Sequence, residues 1–141
     1  MKMEIFFDGN KKVNASVNGQ IIKTDQPVAA GGDASAPSPF DLFLASIGTC
    51  AGIYIKGFCD QRSIDTKNIN ITQTMDFNPE TRIIGKISLD IQLPADFPEK
   101  YKDALINVAN LCAVKKHLLH PPEIEVSSSI SQIKLSANIN K

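Results

Sequence analysis

Ser38-Pro39-Phe40-Asp41-Leu42-Phe43-Leu44-Ala45-Ser46-Ile47-Gly48-Thr49-Cys50-Ala51-Gly52-Ile53-Tyr54-Ile55-Lys56-Gly57 reads as a helix with its own start signal. Ser38 can cap the first turn, and Asp41, three residues on, can return the bond. Pro39 suits the first helical position. The spacing predicts a helix to about Gly57. It is apolar on almost every side, and such a helix must be covered all round. A monomer of 141 residues has little material for that, which points to a partner subunit.

Outward from this helix the pattern changes period. Met3, Ile5 and Phe7 alternate with polar residues, as do Val13, Ala15 and Val17. Asp8-Gly9-Asn10 and Asn18-Gly19 mark tight turns, so residues 3–24 read as a three-stranded meander. Residues 25–39 read as loop, punctuated by Pro27, Gly31, Gly32, Pro37 and Pro39. Beyond the helix, residues 68–77 and 83–93 form a second predicted hairpin, with Asn78-Pro79-Glu80 as its turn. A second helix is predicted from near Pro98, with Tyr101, Leu105, Val108 and Cys112 on one stripe. A short helical turn is expected over Lys115 to Leu119 before Pro121-Pro122. Ile124, Val126, Ser128 and Ile130 alternate at even positions and Ile133 to Ile139 at odd ones, which predicts strand with a bulge or turn near Ser131-Gln132. The order is α+β with mainly antiparallel sheet, in a single domain spanning residues 1–141.

Composition narrows the chemistry. Fifteen basic and fifteen acidic residues balance, which argues against nucleic acid as the main partner. The uncharged run Leu42 to Ile55 is too short to span a bilayer, so no membrane partner is expected. No stretch near Met1 reads as a signal peptide. Three cysteines, Cys50, Cys59 and Cys112, then read as reduced thiols of a cytoplasmic protein rather than a disulfide scaffold. His117 and His120 have no third ligand nearby, so neither a metal nor another cofactor is expected.

Cys50 and Cys112, each on an apolar helix, are the main candidates for chemistry. A thiolate near a second thiol can become a sulfenic acid and be resolved as a disulfide; buried cysteines also serve simply to fill space. Cys59 follows Cys50 by nine residues and Asp41 precedes it by nine, so both fall on the opposite face of the helix. Asp41 then reads first as the partner of Ser38. Gly48 and Gly52, beside Cys50, indicate either a close approach by another chain or substrate, or tight packing. Cys50 lies well past its own helix start and needs an activator. Lys12 or Lys23 could supply a charge. The residue pattern favours the opposite expectation: no cation, apolar surroundings, and a raised Cys50 pKa.

Gly31 to Cys50, G-G-D-A-S-A-P-S-P-F-D-L-F-L-A-S-I-G-T-C, resembles the OsmC/Ohr superfamily, as does A-N-L-C-A-V-K-K, Ala109 to Lys116. The resemblance covers nearly the whole chain and is closer to the less characterised OsmC-family branch. It implies an intertwined homodimer, with mainly antiparallel sheets wrapped around the apolar helix and active sites at the interface. It also implies a thiol peroxidase for organic hydroperoxides. By this resemblance Cys50 is the peroxidatic cysteine, Cys112 the resolving one, and Asp41 falls where many OsmC-type members carry glutamate. Ohr-type members place theirs one residue earlier, where this chain has Phe40. The family's activating arginine has no match. Phe40, Phe43 and Ile47 would line a pocket for a hydrophobic hydroperoxide, and an external dithiol would reduce the disulfide. The alternative is a weakly active or inactive relative that binds a hydrophobic small molecule in the same place.

Overall fold

A computed structural model describes residues 1–130. Three strands come first: β1 (Glu4–Phe7), β2 (Val13–Val17) and β3 (Gln20–Ile22). They form an antiparallel sheet in the order β1-β2-β3. Asn18 and Gly19 both adopt positive φ, 50° and 75°, the left-handed pair that a two-residue hairpin turn requires.

The loop that follows is organised by one buried carboxylate. Asp25 accepts bonds from the backbone N–H groups of Gln26, Asp33 and Ser35 and from the Ser35 hydroxyl. Those donors hold its pKa down at about 2, the Ser35 hydroxyl contributing most. Asp33 is tied to Lys12 at 2.6 Å and to Asn10 at 2.9 Å. Gly32 passes so close to Gln26 that a Cβ there would sit 1.9 Å from the Gln26 carbonyl oxygen. The loop thereby delivers Ser38 to the start of the helix.

Helix α1 (Pro39–Asp60) runs three residues further than the sequence suggests and begins as expected, with a reciprocal Ser38–Asp41 capping box and Pro39 in its first turn. At its far end the Arg62 guanidinium donates to the Phe58 carbonyl and lies 3.7 Å from the centre of the Phe58 ring. The second hairpin is β4 (Asn70–Asn78) with β5 (Ile83–Gln92). Its ladder pairs Asp76 with Lys86 and Phe77 with Ile84, leaving Gly85 as a bulge. A short 3-10 turn (Glu99–Tyr101) leads into α2 (Lys102–Ala109), and α3 (Ala113–Leu119) follows after a break.

The core lies between α1 and α2. Ile55, Phe58, Cys59, Phe97 and Leu105 form it, with the Tyr101 ring edge-on to Phe58 at 5.8 Å. By length and composition α1 could cross a bilayer, but one face packs as a core helix does, burying Ile47, Ala51, Ile55, Phe58 and Cys59. Its other faces are open: Phe40, Phe43, Ile53 and Tyr54 are exposed. Among the described residues α1 is not completely covered.

The expected strand from Ile124 to Ile130 does not form. Residues 121–130 are irregular, with Ile124, Val126 and Ile130 fully open. An alternating segment becomes a strand only when a sheet edge takes its backbone bonds and one of its faces. The expected turn at Ser131-Gln132 and the strand over Ile133 to Ile139 lie outside the described residues.

Candidate functional site

Cys50 sits in the fourth turn of α1, half-buried, and Cys112 is buried directly beside it; both are free thiols. Cys112 does not end the second helix, as its spacing suggests. Asn110 closes α2, the chain breaks at Leu111, and Cys112 becomes the N-cap of α3. The Cys112 sulfur accepts from the Lys115 N–H at 3.3 Å. The next two amides of that helix start, Ala113 and Val114, face the Cys50 sulfur together with the Cys112 thiol and favour its charged form. The first amides of a helix have no partner inside it. Here two cysteines take them.

This arrangement separates the two thiols chemically. The Val114 amide, then the Cys112 thiol and the Ala113 amide, hold the Cys50 pKa below the ordinary thiol range, against the opposing effect of burial. Burial pushes Cys112 up, and the neighbouring Cys50 adds to that rise. Of the two thiols, Cys50 is therefore the one that ionises first. The expected raised pKa of Cys50 is overturned, although no cation is among the causes within one chain. The groups that lower it are amides and a thiol, and Lys12 is engaged by Asp33. Backbone amides carry partial positive charge without a cationic side chain, which is why a search for Lys or Arg in the sequence missed them. The signal was present as a cysteine two residues after Asn110, in the N-cap position of the short helix α3.

A direct consequence is measurable. Alkylation of the reduced protein lacking Cys59 should show its first thiol titrating with a midpoint below the usual value of about 8.5. Because the folded site favours the charged form, reactivity should already be high where a free thiol is protonated. A midpoint at or above the usual value would contradict the hydrogen bonds described.

A cavity of about 570 Å³ opens beside the pair, walled by Ile47 and Ala51 of α1, Ile87 and Leu89 of β5, and Ile106 of α2, with Cys112 in its lining. Ile47 lines it as expected. Phe40 and Phe43 do not. They stack on each other at 5.7 Å on an exposed part of α1. Asp41 also lies elsewhere, on the opposite face with Gly48 and Gln73. Its carboxylate accepts from the Ser38 N–H and hydroxyl, and that capping lowers its pKa. Within the chain its role is to start α1. Gly48 is where β4 approaches: a Cβ there would lie 2.8 Å from the Gln73 side-chain oxygen, while the Gln73 amide donates to the Leu44 carbonyl. Tight packing accounts for this glycine. Cys59 is fully buried in the core, with its pKa raised mainly by burial. Among the described residues no three His, Cys, Asp or Glu side chains gather as metal ligands.

Residues 32–127 match the family model described as OsmC-like protein. The chain belongs to the OsmC-like family. The match takes in both thiols and every element from α1 to α3. Among solved structures, a chain from Psychrobacter arcticus 273-4, named for osmotic stress induction and a detoxification response, is 23% identical with a TM-score of 0.68. The alignment covers 82% of this chain and 86% of that one. An OsmC-like protein of Mycoplasma pneumoniae is 17% identical with a TM-score of 0.61, covering 84% and 86%. A Vibrio cholerae O1 protein, named for organic hydroperoxide resistance and holding captopril in one active site, is 16% identical with a TM-score of 0.51, covering 84% of each chain. At these identities the likeness is one of fold. No curated protein matches the sequence. The OsmC-like fold, with its helix and antiparallel sheets, agrees with the expectation from the two cysteine motifs.

Proposed function

We propose that this OsmC-like protein is a thiol peroxidase that reduces organic hydroperoxides. The observation that carries the reading is the pairing of two adjacent free thiols, Cys50 with its pKa lowered and Cys112 with its pKa raised, beside an apolar cavity. The Cys50 sulfur attacks the terminal peroxide oxygen and the O–O bond breaks. The sulfur is oxidised to a sulfenic acid, and the peroxide leaves as an alcohol after taking up a proton. The Cys112 sulfur then displaces hydroxide from the Cys50 sulfenic acid, which leaves as water with the Cys112 proton. An external dithiol reduces the resulting disulfide and is itself oxidised. The hydroperoxide resistance named for the Vibrio cholerae protein of the same fold supports this chemistry. The apolar walls favour an alkyl or aryl hydroperoxide over hydrogen peroxide. Consumption of cumene hydroperoxide, with a dithiol as reductant, should therefore exceed that of hydrogen peroxide. Equal rates, or none, would refute the assignment.

One observation favours the alternative of hydrophobic-ligand binding without turnover. The cavity is lined by Cys112 and not by Cys50. The same assay separates the two readings.

The reading includes an intertwined homodimer. Its support is apolar surface that one chain leaves open on both the N-terminal sheet and α1: Ile5, Phe7, Phe40, Phe43 and Ile53 are all exposed. A monomer rarely tolerates so much contiguous apolar surface. Sedimentation at micromolar concentration should show a dimer, and a stable folded monomer would refute it. Asp41, Phe40 and Phe43, distant from the thiols within one chain, would join a site only across that interface. Free thiols of this kind suit a reducing, cytoplasmic setting.

A further inference from the structure

Cysteine is an unusual helix cap. Ser, Thr, Asp and Asn lead at that position because their side-chain oxygen accepts from the amides of the first turn. In α3 the Cys112 sulfur takes that place, accepting from the Lys115 N–H. Little else holds α3. It has seven residues, and of these only Val114 is not exposed. A helix this short is not stable through its own backbone bonds, so its first turn decides whether it forms. Lys115, Leu118 and Leu119 of α3 nevertheless line the cavity beside the pair. Cys112 itself is only 1% exposed, at the point where α3 meets α1. The residue that starts α3 is thus also the thiol enclosed beneath it.

We infer that α3 is a redox-released flap: bonding of Cys112 to Cys50 removes the cap, and the helix frays away from the pair. The inference rests on the peroxidase reading only for the pairing of the two thiols. In the reduced protein both sulfurs serve the start of α3. Cys112 accepts from the Lys115 N–H, and the Ala113 and Val114 amides face Cys50. A disulfide takes the negative charge from Cys50, and with it the attraction between an anion and the positive end of a helix. The Cys112 sulfur, drawn to Cys50, becomes a neutral and weak acceptor. The tether fixes residue 112 alone and leaves the amides after it without a cap. With α3 released, the wall formed by Lys115, Leu118 and Leu119 opens. The bond that needs an external reductant thereby exposes itself to one, and reduction restores the cap.

Amide hydrogen exchange on the whole chain tests this with no peroxide present. Diamide is the oxidant: both S–H bonds break, the S–S bond forms, and the N=N bond of diamide takes up the two protons and two electrons. Peptide mapping identifies the Cys50–Cys112 bond. Amides of residues 115–120 should exchange about fivefold faster in the oxidised protein, as expected for the loss of a cap. The α1 amides around Ile55 should keep their rates, which also shows that each variant folds. Two variants separate the cap from the crosslink, since neither can form the bond. Cys112→Ser keeps an accepting oxygen and should stay protected with or without diamide. Cys112→Ala has no acceptor and should exchange as fast as the oxidised natural protein in both conditions. Unchanged or slower α3 exchange on oxidation, no Cys50–Cys112 bond with diamide, or equal protection in the serine and alanine variants would overturn the inference. If α3 loosens on oxidation but cumene hydroperoxide is not consumed, the peroxidase reading fails and the flap stands. If cumene hydroperoxide is consumed and α3 exchange does not change, the flap fails alone.

Discussion

Cys50→Ser is expected to lose hydroperoxide turnover by on the order of a thousandfold or more, since the serine hydroxyl cannot ionise near neutral pH. Its fold should be intact, because an oxygen accepts from the Ala113 and Val114 amides as sulfur does. Cys112→Ser should fail differently. The Cys50 thiolate would still attack once, since the α3 amides that stabilise it are main-chain groups and remain. The reaction would then halt at the sulfenic acid, or pass to the sulfinic acid with excess peroxide, because no thiol is left to resolve it. Single-turnover consumption with a sulfenic-acid trap distinguishes the two variants. Cys59→Ala should turn over as the natural protein does, because that thiol lies in the core away from the pair. Steady turnover by Cys50→Ser, or full loss in Cys59→Ala with the fold retained, would reverse the assignment.

Leu105→Ala should destabilise the protein by about 3 kcal/mol, within the 2–5 kcal/mol usual for a fully buried leucine. Leu105 has no exposed surface and packs among Ile55, Phe58, Cys59 and Phe97. Deleting its methyl groups leaves a cavity where α2 meets α1. A loss of that size is a large part of the 5–15 kcal/mol typical of a domain. Urea unfolding at one fixed protein concentration measures it, since assembly would make stability depend on concentration. A change under about 1 kcal/mol would contradict the assignment of the α1–α2 contact as the core. A functional effect should accompany the loss. The end of α2 leads through Asn110 and Leu111 to Cys112, so loosening α2 should slow disulfide formation more than the first attack by Cys50.

The two variants together separate chemistry from scaffold. Cys50 is reached by the start of α3, and α3 is placed by the break between Ala109 and Cys112. Acceptors on sulfur satisfy amides that would otherwise be left open at the start of a short helix. Activation of the thiolate and capping of α3 are therefore one set of hydrogen bonds. The proposed Cys50–Cys112 disulfide would alter both.

Local signals in the chain were sufficient for much of this. Ser38, Pro39 and Asp41 set the start of α1 through bonds that span three residues. Asn18-Gly19 set the first hairpin through backbone angles that few other pairs adopt. Alternation from Ile87 to Leu93 marked β5, and helical geometry placed Cys59 and Asp41 away from Cys50. These features depend on neighbours a few residues apart, so sequence determines them. The tertiary structure decided what depends on distant segments meeting. It brought the Ala113 and Val114 amides to Cys50, 63 and 64 residues away along the chain, and so lowered a pKa that local composition suggested was raised. It moved Cys112 from a helix end to a helix start, and it put Phe40 and Phe43 outside the cavity that Ile47 lines. It left Ile124 to Ile130 without strand structure. A strand's alternating pattern states what the segment can pair with, whereas pairing itself requires a sheet edge supplied by another part of the fold.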